Sequence, residues 1–436
     1  MKKLFGTDGI RGVSNVQITP ELSLKVGKAI AYVLAPRGGK VLIGKDTRLS
    51  SDFIECALAS GLASCGVNVI LLGVIPTPGV AFLTKNSSAN AGIMISASHN
   101  SFEFNGIKVF DHNGYKISIE LQEKIENLIF SDFYEVKDIP HDKVGIIKAE
   151  KYYISKYVSH LRKCIKELNL KVLFDCANGA SCNCASKIFR NLFHCDFINN
   201  YPNGININDK CGSTDLSSLS HEVVSNRFDL GVAYDGDADR CLAIDENGEV
   251  IDGDHILASL AVYMKKNSIL LNNSVVSTVM SNMSLSDFLD KQEIKLIQTQ
   301  VGDQFVSEEM RKSNSSLGGE QSGHIILSNY STTGDGILTS IMLINIVSEM
   351  GKASDINKMF KKYPQIVKNI KFKKDNDFTQ TANFKSTISE VKEKLSDSGR
   401  ILVRKSGTEP IVRIMIEAKE LKLLKEAEEM ISIFDK

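Results

Sequence analysis

The sequence predicts an α/β fold with three consecutive α/β domains, whose sheets are mixed and largely parallel, and a smaller C-terminal α+β domain. Helical and strand patterns alternate along most of the chain, which is typical of units with parallel strands. This alternation gives way after residue 364 to a strand, a helix, two strands and a helix. The chain has 436 residues, 43% of them hydrophobic and 24% charged, so it can form roughly two to four domains with separate cores.

The first two predicted domains cover residues 1–145 and 146–252. Apolar spacing in the first domain predicts helices at 20–35, 50–64 and 117–129, and strands at 40–44, 67–73 and 91–96. The polar segment FYEVKDIPHDKVG marks its end. The second domain is predicted to contain helices at 150–168, 180–192 and 215–226, strands at 171–175, 193–198 and 229–235, and a hairpin over 241–251 that turns at Asn247-Gly248.

The third and fourth predicted domains cover residues 253–364 and 365–436. The third is predicted to contain helices at 254–265 and 335–350 and strands at 275–279, 294–298 and 316–319, with further helices between these strands. The fourth is predicted to contain strands in IVKNIKF, RILVR and PIVRIMIEA, and helices at 378–396 and 420–435.

The composition excludes several classes of protein. With 52 basic and 52 acidic residues the net charge is zero, which argues against a disordered chain and against a basic nucleic-acid-binding surface. The uncharged stretch from Cys56 to Thr84 contains glycines and prolines, so we predict a helix, a tight turn, a buried strand and a proline turn there and no membrane span. Nine cysteines without a CxxC pair predict reduced thiols in a cytoplasmic protein.

The most informative residues lie in four loops, each of which follows a predicted strand, where open α/β sheets bind their ligands. In the first, SASHN (96–100), Ser98 beside His99 indicates a nucleophile. The loop lacks the G-x-S-x-G pattern of a Ser-His-Asp hydrolase, and a capped polar turn is the structural alternative. Lys108, in the NGIKVF segment that follows, is a candidate acid or base.

The second loop, DGDADR, places Asp235, Asp237 and Asp239 at alternate positions, which predicts an oxygen-ligand site for Mg²⁺ or Ca²⁺. An EF-hand is excluded because its sixth position must be glycine and is Arg240 here. The DxDG pattern of a haloacid-dehalogenase nucleophile fits poorly. An acidic turn without a ligand is disfavoured because three neighbouring carboxylates repel one another.

The third and fourth loops suit a sugar and a phosphate. GGEQSGH offers Glu320, Ser322 and His324 to hydroxyl groups, although a plain strand–turn–strand would look similar. RKSGTEP, with an arginine just beyond it, combines hydroxyls, a glycine and guanidinium groups in a phosphate cradle, against a solvated turn as the alternative. Its candidate ligands are Arg404, Ser406, Gly407, Thr408 and Arg413. Together the four loops predict phosphoryl transfer on a sugar phosphate.

Six ordered motifs make the chain similar to the α-D-phosphohexomutases over essentially its whole length. They are FGTDGIRG (5–12), GKDTRLSS (44–51), SASHN, DGDADR, GGEQSGH and RKSGTEPIVR. TVMSNM (278–283), Gln321 and SGTEP are most similar to the bacterial members that act on glucosamine phosphates. The resemblance implies four domains around a central cleft. It also implies interconversion of glucosamine 6-phosphate and glucosamine 1-phosphate, which supplies UDP-N-acetylglucosamine and cell-wall precursors.

The resemblance also implies roles for the residues of the loops. Ser98 carries the phosphoryl group and, with the three aspartates of DGDADR, binds Mg²⁺, while Lys108 carries a proton. A sugar 1,6-bisphosphate primes Ser98 and also forms as the intermediate. Arg11, His99 and Arg240 surround the reacting group. Glu320, Ser322 and His324 bind the sugar, and the RKSGTEP loop with Arg413 binds the phosphate that is not reacting. The implied partner is a small hexosamine phosphate, with no nucleic acid or membrane, and the protein is a monomer or homodimer.

Three positions depart from the family pattern, at Ser101, Phe104 and Gln304, where relatives usually have Pro, Asp and Arg. The last departure affects one contact expected in the cleft, and it removes neither a metal ligand nor the residue that carries the phosphoryl group. Two alternatives stay open: a related mutase for glucose or mannose phosphates, and a non-catalytic sugar-phosphate sensor. A Mg²⁺ phosphatase is a further competitor, which would release inorganic phosphate.

Overall fold

The computed structural model describes residues 3–131, 139–150, 152–166, 169–372, 377–405 and 411–434. The chain divides into two compact units. The larger contains residues 1–280 and 292–359, and the smaller contains residues 281–291 and 360–436. Three sheets lie in the larger unit and one lies in the smaller.

The first sheet has seven strands in the order β1-β2-β6-β5-β3-β4-β7. The strands are β1 (Phe5–Gly6), β2 (Gly9–Val13), β3 (Gly39–Lys45), β4 (Val67–Val74), β5 (Ala91–Ile95), β6 (Phe104–Asp111) and β7 (Ile147–Ala149). The helices are α1 (Pro20–Leu34), α2 (Ser51–Ser64), α3 (Thr77–Lys85) and α4 (Ile119–Phe130). β5 is buried along its whole length between parallel β3 and antiparallel β6, as expected for a central apolar strand.

The second sheet has five strands in the order β12-β11-β10-β8-β9. The strands are β8 (Lys171–Asp175), β9 (His194–Ile198), β10 (Leu230–Tyr234), β11 (Cys241–Asp245) and β12 (Val250–Ile251). The helices are α5 (Tyr152–Arg162), α6 (Cys182–Phe189) and α7 (Ser217–Ser225). β8, β9 and β10 are parallel, and β11 and β12 form the predicted hairpin, which turns at Gly248 in the left-handed region.

The third sheet has four strands in the order β14-β13-β15-β16. The strands are β13 (Ser274–Thr278), β14 (Lys295–Thr299), β15 (Leu317–Gly319) and β16 (Ile325–Leu327). The helices of the larger unit in this part of the chain are α8 (Gly253–Lys266), α10 (Asp303–Ser313), α11 (Gly336–Met350) and α12 (Ser354–Asn357). α11 is buried over most of its length, and Asp335 caps it by accepting a hydrogen bond from the Leu338 N–H at 2.9 Å.

The smaller unit is built on an antiparallel sheet in the order β17-β19-β18. Its elements are α9 (Met283–Lys291), β17 (Gln365–Lys371), α13 (Ala382–Leu395), β18 (Gly399–Lys405), β19 (Ile411–Ala418) and α14 (Leu421–Ile431). α9 comes from the middle of the chain and is tied to this sheet by the Met283 N–H, which donates to Glu417 at 2.7 Å.

The α/β class and the small C-terminal sheet are confirmed, and the principal differences lie in short or irregular segments. β1, β2 and β6 were not predicted because glycine, asparagine and aspartate interrupt their apolar pattern. The proline turn predicted near residue 76 is instead the start of α3, whose first turn accommodates Pro78 because the N–H that proline lacks is not needed there. Within the described residues, no helix is long and apolar enough to cross a membrane.

Candidate active site

The first site loop follows β5 and places Ser98 in an unusual backbone conformation. Ser98 is buried and has a φ of 54°, a left-handed conformation that costs on the order of 1–3 kcal/mol for a residue other than glycine. Its hydroxyl donates to Asp235 Oδ2 at 2.6 Å, while His99 Nδ1 lies 3.4 Å from the Ser98 hydroxyl oxygen. The serine predicted as nucleophile is therefore held against the acidic loop.

The acidic loop follows β10 and folds its three carboxylates together. Asp235, Asp237 and Asp239 are buried, and each offers a carboxylate oxygen within 4.8 Å of the others. Burial, reinforced by the charges of Asp239 and Asp237, raises the pKa of Asp235 well above its usual range. So much concentrated negative charge requires cations nearby.

Lys108 on β6 supplies one of these cations. Its ammonium is almost fully buried and lies 2.8 Å from Asp237, 3.1 Å from Asp239 and 3.1 Å from Asp8. Burial alone would lower the pKa of Lys108, but the three carboxylates outweigh it and hold that pKa well above the usual range. Lys108 is therefore an ammonium group at neutral pH, so it can donate a proton but must lose one before it acts as a base.

The three aspartates also fit a divalent cation. Among the described residues, Asp237 Oδ1 and Asp239 Oδ1 are buried and have no hydrogen-bond partner, although buried carboxylate oxygens are normally satisfied. Hard divalent cations prefer clustered carboxylate oxygens of this kind. The acidic triad could thus hold a metal ion, with Ser98 in hydrogen-bonding contact with one of its members.

Three further predicted residues border this cluster. Arg11 is paired with Asp8 and donates to Asn100 Oδ1 at 3.2 Å. The Arg240 guanidinium lies 4.0 Å from Asp239, and its buried Nε has no hydrogen-bond partner in the part of the chain that the structure describes. Burial, together with the charges of Arg240 and Arg11, lowers the pKa of His99 to about 4, so the His99 imidazole is neutral at pH 7.

The predicted sugar loop forms the turn between β15 and β16 and packs against the acidic loop. The Cys241 N–H donates to the Gly323 carbonyl at 3.0 Å, and Gly323 has a φ of 89°, which favours glycine. Glu320 accepts a hydrogen bond from the Gly302 N–H at 3.2 Å, and His324 Nε2 lies 3.5 Å from Asp303. Ser322 is half-buried in the turn. The structure thus places this loop beside the acidic loop.

The predicted phosphate loop belongs to the smaller unit. Arg404 on β18 and Arg413 on β19 are directly paired in the sheet register, and both are exposed. The two guanidinium groups therefore project from the same face, and Arg413 Nε donates to Asn369 at 3.0 Å. Ser406, Gly407 and Thr408 lie outside the described residues.

Sequence reasoning missed several residues that hold the site together. Asp8 forms ion pairs with Lys108, Arg11 and Lys116, and Lys116 also forms an ion pair with Asp303. Although burial opposes it, the surrounding cations lower the pKa of Asp8 well below its usual range. Asp8 lies in the motif FGTDGIRG and Asp303 lies in VGDQFV. Both segments can be recognised in the sequence, but their ion pairs with Lys116 cannot be predicted from it.

Gln304, one of the three departures from the family pattern, lies beside Asp303. Its side chain donates to Glu308 Oε1 at 3.3 Å, one turn further along α10. The Gln304 amide therefore makes a local contact within the helix.

Four family models described as phosphoglucomutase/phosphomannomutase domains match the chain: alpha/beta/alpha domain I at residues 2–135, domain II at 151–248, domain III at 252–363 and the C-terminal domain at 350–433.

Curated relatives match over nearly the full length. The phosphoglucosamine mutase of Clostridium kluyveri is 48% identical over 431 residues, covering 96% of each chain. The phosphoglucosamine mutase of Caldicellulosiruptor bescii is 45% identical over 447 residues, covering 100% of this chain and 99% of that relative.

Solved structures share the fold at low identity. A phosphoglucomutase/phosphomannomutase family protein from Burkholderia thailandensis superposes with a TM-score of 0.81 at 22% identity, covering 99% of this chain and 97% of that one. Aspergillus fumigatus N-acetylphosphoglucosamine mutase, solved with GlcNAc-6P and magnesium, superposes with a TM-score of 0.67 at 16% identity, covering 100% and 96%.

Proposed function

Because the chain belongs to the phosphoglucomutase/phosphomannomutase family and matches phosphoglucosamine mutases over its whole length, we propose that it interconverts glucosamine 6-phosphate and glucosamine 1-phosphate. The observation that carries the proposal is the 2.6 Å contact between the Ser98 hydroxyl and Asp235, within a buried cluster of three aspartates. This arrangement suits a phosphoryl group carried on Ser98 beside a divalent cation.

In the proposed reaction, phosphorylated Ser98 transfers its phosphoryl group to a free hydroxyl of the sugar phosphate. The O–P bond to Ser98 breaks, a new O–P bond forms to the sugar, and a glucosamine 1,6-bisphosphate results. The sugar hydroxyl loses one proton and the Ser98 oxygen gains one, so the step releases no net proton. Return of the other phosphoryl group from the bisphosphate restores phosphorylated Ser98.

Asp235, Asp237 and Asp239 are proposed to hold Mg²⁺ together with the Ser98 phosphate. When bound, this ion offsets the negative charge that the phosphoryl group carries during transfer. Buried positive side chains contribute to the same neutralisation. Lys108 lies within 3.1 Å of the metal-binding aspartates Asp237 and Asp239, and its ammonium can deliver a proton to the oxygen that leaves phosphorus. Arg11 and Arg240 border the cluster with guanidinium groups suited to phosphate oxygens.

The remaining predicted residues are proposed to bind substrate. Glu320, Ser322 and His324 offer a carboxylate, a hydroxyl and an imidazole for hydrogen bonds to the sugar. Arg404 and Arg413, which share one sheet face, are proposed to bind a phosphate group together with Ser406, Gly407 and Thr408, which lie outside the described residues. A sugar 1,6-bisphosphate is the proposed primer for Ser98.

A coupled assay tests this function. The purified protein, with Mg²⁺ and a glucose 1,6-bisphosphate primer, is expected to convert glucosamine 6-phosphate to glucosamine 1-phosphate faster than it converts glucose or mannose 6-phosphate. A higher rate on either of the latter sugars would assign the chain to the related mutases. Stoichiometric release of inorganic phosphate would indicate a phosphatase, and complete inactivity with all three sugars would favour a sensor.

A further inference from the structure

Arg48, in the loop after β3, is buried and uses all five of its N–H donors. Its Nε donates to Asp46 Oδ2 at 2.8 Å. The other four N–H groups donate to backbone carbonyls of a single segment, residues 98–104. A guanidinium group with every donor satisfied and no solvent exposure is fixed in both position and orientation.

The four carbonyls acting as acceptors form the reverse side of the serine loop. Nη2 donates to the carbonyls of Ser98 at 3.0 Å and Asn100 at 2.8 Å, and Nη1 donates to those of Ser101 and of Phe104, the latter at 3.1 Å. The first of these carbonyls belongs to the residue with the left-handed backbone. Such a conformation persists only where surrounding contacts hold it, and Arg48 supplies four of them.

A second side chain reaches the same backbone from another part of the chain. Asn208 Nδ2 donates to the carbonyls of Ser98 at 2.9 Å and Asn100 at 3.0 Å. Asn208 follows β9 along the chain, so its two bonds join the serine loop to the segment between β9 and β10. The carbonyl of Ser98 therefore accepts hydrogen bonds from two independent buried or half-buried donors.

We propose that Arg48, assisted by Asn208, is a positioning residue that holds the Ser98 backbone in the conformation that directs its hydroxyl at Asp235. The proposal rests on the proposed function, because it concerns the serine that would carry the phosphoryl group. Neither side chain contacts the Ser98 hydroxyl or the aspartate cluster among the described hydrogen bonds. Both act through the main chain, at a distance from the reacting atoms.

The contacts of Arg48 with residues 101 and 104 do not depend on the side chains at these positions. Arg48 binds the carbonyl oxygens of these residues, and every amino acid carries a carbonyl oxygen. The side chains at these two positions can therefore differ from those of relatives without loss of the contacts that shape the loop.

The test compares Arg48→Lys and Arg48→Ala with the wild-type protein. Lysine retains the charge beside Asp46 but cannot span four carbonyls with a single ammonium group. We expect both variants to lose at least about 100-fold in kcat, because a displacement of about 1 Å at a reacting group has effects of this size, while KM for glucosamine 6-phosphate changes less than about 3-fold. The fraction of Ser98 that is phosphorylated after priming should fall in parallel.

Chemical rescue separates positioning from a general loss of folding. Methylguanidinium ions can occupy the space left in Arg48→Ala and donate to the same carbonyls, so they should raise the kcat of this variant at least about 10-fold. Methylammonium at equal ionic strength should not. Equal recovery with both ions, or a wild-type rate in Arg48→Lys, would overturn the proposal.

Asn208→Ala has a matched control in Asn345→Ala. Asn345 is a buried amide that donates to the Cys164 carbonyl at 2.9 Å, away from the serine loop. Asn208→Ala should lower kcat and Ser98 phosphorylation about 10-fold, and Asn345→Ala should lower only the urea midpoint of unfolding. Equal kinetic effects would contradict the proposal. Wild-type protein that is inactive and unphosphorylated in the same assay would instead refute the proposed function.

Discussion

Replacing Lys108 with methionine tests whether one buried ammonium balances the acidic cluster. Methionine has a similar length and no charge, so the variant keeps the packing on β6 while leaving Asp8, Asp237 and Asp239 without their common partner. The three distances, 2.8, 3.1 and 3.1 Å, place the ammonium in hydrogen-bonding range of each carboxylate. Loss of one partner from a buried ion pair costs about 3–5 kcal/mol, because the remaining charge stays buried and unpaired.

A divalent cation should recover much of this cost. The orphaned oxygens of Asp237 and Asp239 can bind the cation, and a ligand at 100 times its Kd stabilises the folded state by about 2.7 kcal/mol. In Lys108→Met the cation also relieves the uncompensated negative charge. The Mg²⁺-dependent gain in the free energy of unfolding should therefore be larger in the variant than in the wild-type protein.

Urea unfolding followed by circular dichroism, in EDTA and in excess Mg²⁺, measures these free energies. Lys124→Met is the matched control, because Lys124 forms an exposed pair with Glu120 within α4 and exposed ion pairs contribute little to stability. The reasoning is refuted if Lys108→Met unfolds like Lys124→Met in EDTA. It is also refuted if Mg²⁺ stabilises the variant no more than the wild-type protein.

Three further substitutions give separable results. Burial raises the pKa of Asp335 to about 7, so the folded state holds this proton more tightly than the unfolded state, and the stability of the wild-type protein falls as the pH rises from about 4 to 7. Between pH 5 and 8, Asp335→Asn should therefore gain on the order of 2–3 kcal/mol in the free energy of unfolding relative to the wild-type protein, as measured by urea titrations. A difference that does not change with pH would contradict this prediction. Gly236→Ala would place a Cβ 2.5 Å from the Ser98 carbonyl oxygen, and should lower kcat and Ser98 phosphorylation at least about 10-fold. An unchanged rate would contradict this, because it would show that the serine loop and the acidic loop can move apart without loss of activity. Glu320→Gln should raise the KM for glucosamine 6-phosphate about 10-fold, since a hydrogen bond to a charged group contributes about 1.5–3 kcal/mol. An effect on kcat alone would contradict a role of Glu320 in substrate binding.

Local sequence was sufficient for most of the fold and for the loops of the site. The buried strands β5 and β10 are recognisable as short apolar runs, and their carboxyl ends carry Ser98 and the aspartates. The alternating carboxylates from Asp235 to Asp239 are themselves a local pattern, so a candidate metal site could be predicted without knowing which residues lie opposite it.

Contacts between distant segments could not be read in this way. The pair between Lys116 and Asp303 joins residues 187 positions apart, and Asn208 reaches Ser98 over 110 positions. These ion pairs and hydrogen bonds depend on how the three sheets of the larger unit pack. Sequence patterns predict only the individual helices and strands. The role proposed for Arg48 could not be predicted for another reason. Four of its five acceptors are backbone carbonyls, and every residue has a backbone carbonyl, so the sequence does not identify them.

The phosphorylation state of Ser98 during turnover tests most directly whether this serine carries the phosphoryl group. Protein incubated with Mg²⁺ and glucose 1,6-bisphosphate is digested and analysed by mass spectrometry before and after addition of glucosamine 6-phosphate. The account predicts one phosphoryl group on the peptide that contains Ser98, transfer of that group to the added sugar, and neither signal nor mutase activity in Ser98→Ala. Undiminished mutase activity in Ser98→Ala, or phosphate on another residue alone, would contradict it.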